Sequence, residues 1–196
     1  MTLINLATED ELSENVACRL VQDFLPQFEI GLKLRKHGNG YLRTKFSNFC
    51  QLAQREFVFL ITDLDRIACP PLLLQEWEGA NGRPDRLIFR VAVTEIESWL
   101  LADHWAMGNL LGKGGNKLPL NPDELADPKG FLLKRAQRAP RSVKDDLTVR
   151  KGTVASQGLG YNQRLGMFVK DDWNPNAAAD RSGSLARTIR RLREIG

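Results

Sequence analysis

The stretch Phe57-Val58-Phe59-Leu60-Ile61-Thr62-Asp63-Leu64-Asp65 carries most of the information about the fold. Its first five residues are apolar and rich in β-branched and aromatic types, which predicts a strand buried on both faces. Asp63 and Asp65 follow, and Cys69-Pro70-Pro71 breaks the pattern soon afterwards. The two aspartates are therefore expected at the carboxyl end of the strand, where open α/β sheets bind their ligands.

The spacing of these aspartates suits a metal ion. Residues two apart in a strand point to the same side, with their Cα atoms ~6.5 Å apart. Unpaired carboxylates so placed raise each other's pKa, and a divalent cation between them would offset the repulsion. We therefore expect Asp63 and Asp65 to share a cation.

Two further segments repeat this order of strand, acidic residues and helix. Residues 3–7 predict a strand that is followed by Glu9, Asp10 and Glu11 and by apolar residues at helical spacing. Residues 87–93 predict another buried strand, followed by Glu95 and Glu97. Three strands that each end in carboxylates favour one shared acidic crevice, with Glu9 facing Asp63 and Asp65.

The same acids also have a purely structural explanation. Thr8 and Glu11 match a capping box, in which a threonine and a glutamate three residues later satisfy the first amides of a helix. Thr94 and Glu97 match the same pattern, so Glu97 is either a helix cap or a metal ligand. Sequence spacing alone does not choose between these interpretations.

The rest of the chain predicts further α/β structure and then helices. A strand is predicted over residues 28–34, a loop over 36–40, a helix over 41–54 and a short helix over 71–78. In the last third, Asp127 and Pro128 are expected to start a basic helix. Ser184 is expected to cap a closing helix with Leu185, Ile189 and Leu192 facing inward.

Composition places the chain among folded proteins and excludes several classes. The chain has 196 residues, of which 42% are hydrophobic and 27% charged, as is ordinary for a globular domain. No apolar run approaches the ~20 residues of a membrane helix, and the first residues do not look like a signal peptide. The three cysteines are far apart and the histidines number two. Reduced thiols, a cytoplasmic location and no histidine-rich zinc site are therefore expected.

The net charge of +4 hides two regions of opposite charge. Residues 56–105 contain nine acidic and four basic residues, whereas residues 134–196 contain fourteen basic and six acidic residues. An acidic middle with a basic tail is what a metal-dependent enzyme acting on a polyanion would have. An ordinary solvated surface explains the charge equally well.

At this point the chain resembles a known family. A strand ending in Glu9 and a second ending in Asp63-Leu64-Asp65 resemble the Toprim domain of topoisomerases, primases and nucleases of the overcoming-lysogenisation-defect type. The similarity is greatest to small Toprim-like proteins often encoded beside an AAA-type ATPase. It extends to Asp65-Arg66, to residues 95–103, to Asp127-Pro128-Lys129 and to residues 182–185. Toprim domains place glycine after the first glutamate, where this chain has Asp10, so Glu11 and Glu14 stay alternatives to Glu9.

The resemblance implies a Toprim-like, Rossmann-like α/β fold with a mostly parallel central sheet flanked by helices. The core would cover residues 1–107, and a basic, mainly helical extension packed on it would cover residues 108–196. Asp63 and Asp65 would bind Mg²⁺ or Mn²⁺, Glu9 would be a general base or a further ligand, and Glu95 or Glu97 would complete a second metal position. The basic side chains expected to contact nucleic acid are Arg66, Lys129, Arg187, Arg190 and Arg191.

The function expected on these grounds is metal-dependent hydrolysis of phosphodiester bonds in DNA or RNA. The resemblance implies a role in anti-phage defence with an ATPase partner. The lack of a long apolar run predicts no membrane association. One alternative is a non-catalytic nucleic-acid-binding or regulatory subunit that keeps the fold. Another is a haloacid-dehalogenase-like phosphatase. That family places its aspartates after the first strand and has threonine or valine where this chain has Ile67.

Overall fold

The chain forms two compact units. The computed structural model describes residues 2–35, 39–149, 152 and 154–196. One unit consists of Met1–Val93 together with Arg187–Gly196, and the other of Thr94–Ala186. The division predicted at residue 107 stays a prediction, and most of the loop predicted over residues 36–40, including His37, lies outside the described residues.

A parallel sheet of four strands, in the order β2-β1-β3-β4, is the centre of the first unit. The sequence prediction of a parallel α/β sheet is thereby confirmed. Pairing of Ala7 with Leu60 and of Asp63 with Ala92 brings the carboxyl ends of three strands to one edge. The strands are β1 (Thr2–Thr8), β2 (Phe28–Arg35), β3 (Phe57–Asp63) and β4 (Leu87–Ala92).

Helices flank this sheet because β3 and β4 are apolar on both faces. Helix α1 (Glu11–Phe24) contacts β1, β2 and β3. A buried cluster on the sheet joins β3 and β4 to three further helices through Leu42, Phe46, Phe49 and Leu73. Those helices are α2 (Asn39–Thr44), α3 (Phe46–Leu52) and α4 (Pro70–Glu78). The helix predicted over residues 41–54 is therefore two helices, separated at Lys45.

The described part of the second unit is helical and packs around large buried aromatic residues. Trp99, Tyr161, Phe168 and Trp173 are all at most 1% exposed. The last helix begins in this unit and its residues from Arg187 belong to the first. The helices are α5 (Glu97–Leu101), α6 (His104–Leu111), α7 (Pro128–Ala136), α8 (Arg141–Leu147), α9 (Tyr161–Asp171), α10 (Pro175–Ala179) and α11 (Gly183–Arg193).

The two predicted helix starts of this part of the chain have different outcomes. Asp127 caps α7 as expected, with Oδ1 accepting a hydrogen bond from the Gly130 amide at 2.6 Å. The prediction for α11 is wrong by two residues, since Ser182 Oγ accepts the amide of Leu185 at 3.2 Å. Ser184 instead accepts a hydrogen bond from the indole of Trp99 at 2.7 Å, because its side chain is buried.

Within the described ranges, no helix is both long enough and apolar enough to cross a membrane.

The residues predicted to face inward on α11 are confirmed, since Leu185, Ile189 and Leu192 are buried.

Candidate functional site

Glu9 lies just after β1, and its side chain reaches the end of β3. Its Oε1 accepts hydrogen bonds from the hydroxyl of Thr62 at 2.5 Å and from the amide of Asp63 at 2.9 Å. This contact follows from the sheet, because β1 and β3 are parallel neighbours whose carboxyl ends meet. The structure therefore brings Glu9 and Asp63 together, although 54 residues separate them in sequence.

The electrostatic environment of Glu9 is unfavourable to its charge. Burial is the main cause of a raised pKa at this carboxyl group, and the negative charges of Asp65 and Asp10 raise it further. The hydrogen bonds from Thr62 and Asp63 lower the pKa but do not cancel the effect. A partly buried glutamate beside other carboxylates is a common feature of catalytic and metal sites.

The two aspartates differ in backbone conformation. Asp63 is the last residue of β3, whereas Asp65 lies beyond the strand with a φ of 51°. The expectation that both lie on one face of a strand is therefore wrong for Asp65. The amide of Leu64 still pairs with the carbonyl oxygen of Ala92 at 2.9 Å, and the chain turns immediately afterwards. Aspartate is among the few residues that tolerate this left-handed conformation.

A cavity of about 350 Å³ opens beside the aspartates. Two arginines line it together with the two aspartates and an apolar floor. Arg43 is held by an ion pair with Glu76 at 2.6 Å, and Arg66 is one of the residues predicted to contact nucleic acid. The lining includes Arg43, Asp63, Asp65, Arg66, Leu73 and Trp77.

The neighbouring acids of the first segment have structural roles. Asp10 caps α1, since Oδ1 accepts the amide of Ser13 at 2.8 Å. The capping box predicted from Thr8 and Glu11 is therefore wrong, because Thr8 is still paired in β1 and the helix begins later. Glu11 and Glu14, the alternatives to Glu9, form ion pairs with Arg35 of β2 at 3.8 and 3.2 Å.

In the second unit, Glu97 is a buried carboxylate with two partners. The hydroxyl of Tyr161 donates to Glu97 Oε1 at 2.7 Å, and Lys129 Nζ lies 3.9 Å from the same oxygen. Burial raises the pKa of Glu97 to about 7, although Tyr161 and Lys129 act in the opposite direction. The sequence does not single out Tyr161 as a partner of Glu97, since nothing in a linear pattern pairs residues 64 positions apart.

The helix-cap interpretation of Glu97 is wrong. Helix α5 begins at Glu97 after Ile96, with no side-chain hydrogen bond at its cap. Thr94 has a φ of 62°, and its hydroxyl donates to the carbonyl oxygen of Leu125 at 2.9 Å. Glu95 serves another helix, since Oε2 accepts the amide of Lys129 at 2.9 Å near the start of α7.

The predicted basic residues lie in different surroundings. Arg187 and Arg190 are exposed on α11, and Arg191 pairs with Glu194 at 3.0 Å. Lys129 in the second unit is 33% exposed, with Nζ 5.0 Å from the centre of the Tyr161 ring. Its amine therefore contacts its own protein, which limits its freedom to bind a phosphate.

The donor types at the end of β1 and β3 fit a hard divalent cation, which prefers carboxylate oxygens. Glu9, Asp63 and Asp65 supply such oxygens, and a cation would offset the repulsion that raises the Glu9 pKa. Within residues 2–35, 39–149, 152 and 154–196, however, no three or more histidine, cysteine, aspartate or glutamate side chains are grouped as a preformed metal site. The case for a cation therefore rests on the carboxylate oxygens of these three residues and on their closeness in the fold.

Comparisons of the chain with protein-family models, curated proteins and solved structures found no match. The Toprim-like resemblance stays a prediction. Any function proposed for this chain therefore depends on the contacts of Glu9, Asp63 and Asp65 themselves.

Proposed function

We propose that the protein is a Mg²⁺- or Mn²⁺-dependent nuclease that hydrolyses phosphodiester bonds of DNA or RNA at the carboxyl ends of β1 and β3. The observation that supports this most directly is the contact of Glu9 with Asp63, next to the negative charge of Asp65. The carboxylate of Glu9 reaches the backbone at the end of β3, near the charge of Asp65, at the edge where sheets of this class bind ligands. Repulsion between like charges at that position disfavours a purely structural role for all three.

Each acidic residue has a proposed task. Asp63 and Asp65 hold the cation, which when bound would polarise the scissile phosphate and neutralise charge on its oxygens. Glu9 accepts the proton of the attacking water through its carboxylate or serves as a further ligand. The raised pKa of Glu9 suits it to accept this proton, because a proton acceptor works best when its pKa lies nearer the working pH.

Basic side chains would hold the nucleic acid by its phosphates. Arg66 and Arg43 line the same cavity as the aspartates, and we propose that they contact the phosphate nearest the cut. Arg187, Arg190 and Arg191 of α11 are proposed as contacts with the rest of the strand. Lys129 stays a predicted contact with nucleic acid. Glu95 and Glu97 stay predicted ligands of a second metal position.

The Toprim-like reading belongs to the same proposal. A parallel sheet with acids after β1 and β3 agrees with it. The ATPase partner and the role in anti-phage defence follow from the resemblance alone.

The deciding experiment compares the double variant Asp63→Asn/Asp65→Asn with the native chain. Cleavage of labelled DNA and RNA is measured in Mg²⁺ and Mn²⁺, and Mn²⁺ binding is measured separately by electron paramagnetic resonance. We expect the double variant to lose both, because its amides carry no charge to hold the cation. Glu11→Gln/Glu29→Gln removes the same charge from exposed positions and is expected to keep both. Metal-dependent cleavage that survives in the double variant would contradict the proposal.

A second candidate function is binding of nucleic acid without cleavage. Arg43 and Arg66 in the cavity beside the aspartates favour it, because a guanidinium can contact a phosphate without a cation. In that case the native chain would bind labelled DNA or RNA in either metal ion but would leave it intact. The Asp63→Asn/Asp65→Asn variant would then bind at least as tightly, because it presents less negative charge to the phosphates.

A further inference from the structure

A half-buried arginine on the edge strand of the sheet has no acidic partner. Arg90 lies on β4, which pairs with β3 and is the last strand in the sheet order. Its Nε donates a hydrogen bond to Thr188 Oγ1 at 3.4 Å. Among the described residues, no carboxylate lies within ion-pair distance of Arg90. The guanidinium therefore keeps most of its donors for another partner.

The surroundings of Arg90 are strongly positive. Burial, together with the charges of four other arginines, lowers its pKa to about 10. Two of the four are balanced, since Arg83 is hydrogen-bonded to Glu78 and Arg191 to Glu194. The others, Arg187 and Arg190, are exposed on α11. A group of like charges around a partly buried cation is costly, and a bound anion would relieve it.

A cavity of about 330 Å³ lies directly beside this group. Its charged lining consists of Arg83, Arg90 and Arg191 with Glu78 and Asp85. Its size is near the lower end of small-molecule sites, which span roughly 300–1,000 Å³. Because Glu78 is engaged by Arg83, an anion would enter on the side of Arg90 and Arg191.

This cavity is distinct from the acidic edge. It is lined by residues between Pro84 and Arg90 and by Arg191 of α11, whereas Asp63 pairs with Ala92 at the end of β4. Arg90 lies two residues, roughly 7 Å, before Ala92. The lining of the cavity includes neither Asp63 nor Asp65.

We propose that this cavity binds a phosphomonoester group, as carried by a free nucleotide or by the phosphorylated end of a nucleic acid strand. A guanidinium presents a planar fork of donors that matches phosphate oxygens two at a time. A terminal phosphate carries a charge of about −1.5 to −2, whereas a phosphodiester within a strand carries −1. The dianion therefore compensates the clustered arginines better. The proposal is independent of whether the acidic edge cleaves anything.

The test measures binding by isothermal titration calorimetry, with EDTA present and in the Asp63→Asn/Asp65→Asn background. The probes are AMP, a single-stranded oligonucleotide with a 5′-phosphate, and the same oligonucleotide with a 5′-hydroxyl. Under these conditions a failed nuclease proposal has no effect on the result. Binding of AMP alone identifies a nucleotide site, and binding of the 5′-phosphorylated strand alone identifies a strand-end site.

We expect Arg90→Gln to weaken phosphate binding about 10- to 100-fold, the range for losing hydrogen bonds to a charged group. Arg191→Gln changes a residue nearer the surface and is expected to act in the same direction. It therefore still tests the proposal if Arg90→Gln does not fold. Arg193→Gln on the same helix is the control, since its guanidinium lies over Phe24 at 5.1 Å.

Two results would overturn the proposal. One is equal binding of the 5′-phosphorylated and 5′-hydroxyl oligonucleotides with no binding of AMP. The other is phosphate binding in which Arg90→Gln and Arg191→Gln match Arg193→Gln.

Discussion

Two glutamates, one in each unit, have a raised pKa mainly because they are buried, but the groups around them differ. Glu9 stands among other negative charges, and Asp65 and Asp10 add to the effect of its burial. Glu97 is more deeply buried, but a tyrosine hydroxyl and a lysine amine partly neutralise it. A raised pKa alone therefore does not distinguish a candidate metal site from a carboxylate that is hydrogen-bonded within the protein. The charges of the neighbouring groups make this distinction.

The largest expected effect on stability concerns Glu97. Its pKa is about 7 in the folded protein and near the ordinary 4.5 when unfolded, so the folded state binds more protons between those values. The contribution of Glu97 to the free energy of unfolding should therefore be largest below about pH 4.5 and should fall as the pH rises to 7. The full difference is about 3 kcal/mol.

Glu97→Gln should remove this dependence and raise stability above pH 7, because the amide can still accept the Tyr161 hydrogen bond. Urea unfolding followed by the fluorescence of the buried tryptophans Trp99 and Trp173 measures it. Glu124→Gln, at an exposed position of the same unit, is the charge-matched control. A native chain and a Glu97→Gln variant with parallel pH profiles would refute the assignment.

The second effect is the stabilisation by metal that depends on Glu9. A ligand that binds the folded state alone raises its stability, by about 2.7 kcal/mol at a concentration of 100 Kd. We expect Mn²⁺ to stabilise the native chain against thermal unfolding and to lose this effect in Glu9→Gln. In Glu11→Gln the stabilisation should persist. If Glu9→Gln and the native chain gain equally from Mn²⁺, Glu9 is not part of the metal site.

A smaller effect is expected from the partner of Glu97. Tyr161→Phe removes the donor to a buried carboxylate and should cost about 2 kcal/mol above pH 7, where Glu97 is charged. Below pH 5 the cost should shrink, because the protonated carboxyl group needs the donor less. Unfolding in urea at pH 5 and pH 8 tests this. A cost that does not change with pH would mean that the contribution of the Tyr161 hydroxyl does not depend on the charge of Glu97.

How much of this arrangement the sequence predicts depends on the range of the contact. The buried strand at Phe57–Asp63 and the cap at Asp127 follow from local residue patterns, and both are confirmed. The partnership of Glu97 with Tyr161 and the isolation of Arg90 depend on tertiary packing. No periodicity or spacing contains that information.

The errors of prediction have a related cause. Thr8 and Ser184 are residue types that often cap helices, but each makes a tertiary contact instead. Thr8 pairs with the neighbouring strand, and Ser184 accepts a hydrogen bond from a buried indole. The capping box at Thr94 and Glu97 fails because the Thr94 hydroxyl donates to the carbonyl oxygen of Leu125, and Glu97 accepts the hydroxyl of Tyr161. Local rules thus hold where no tertiary contact competes for the same side chain.

The smallest expected effect concerns the left-handed backbone at Asp65. Asp65→Gly should stabilise the fold by ~0.5–1 kcal/mol, because glycine adopts a φ of 51° without the steric cost that a side chain carries. Asp65→Asn removes the same charge but keeps a side chain, so it should gain less in urea unfolding. Both variants should lose Mn²⁺ binding if the carboxylate is a ligand. A gain in stability together with a loss of metal binding would mean that aspartate is kept at this position for function at a cost to the fold, whereas Mn²⁺ binding that survives in both would remove Asp65 from the proposed site.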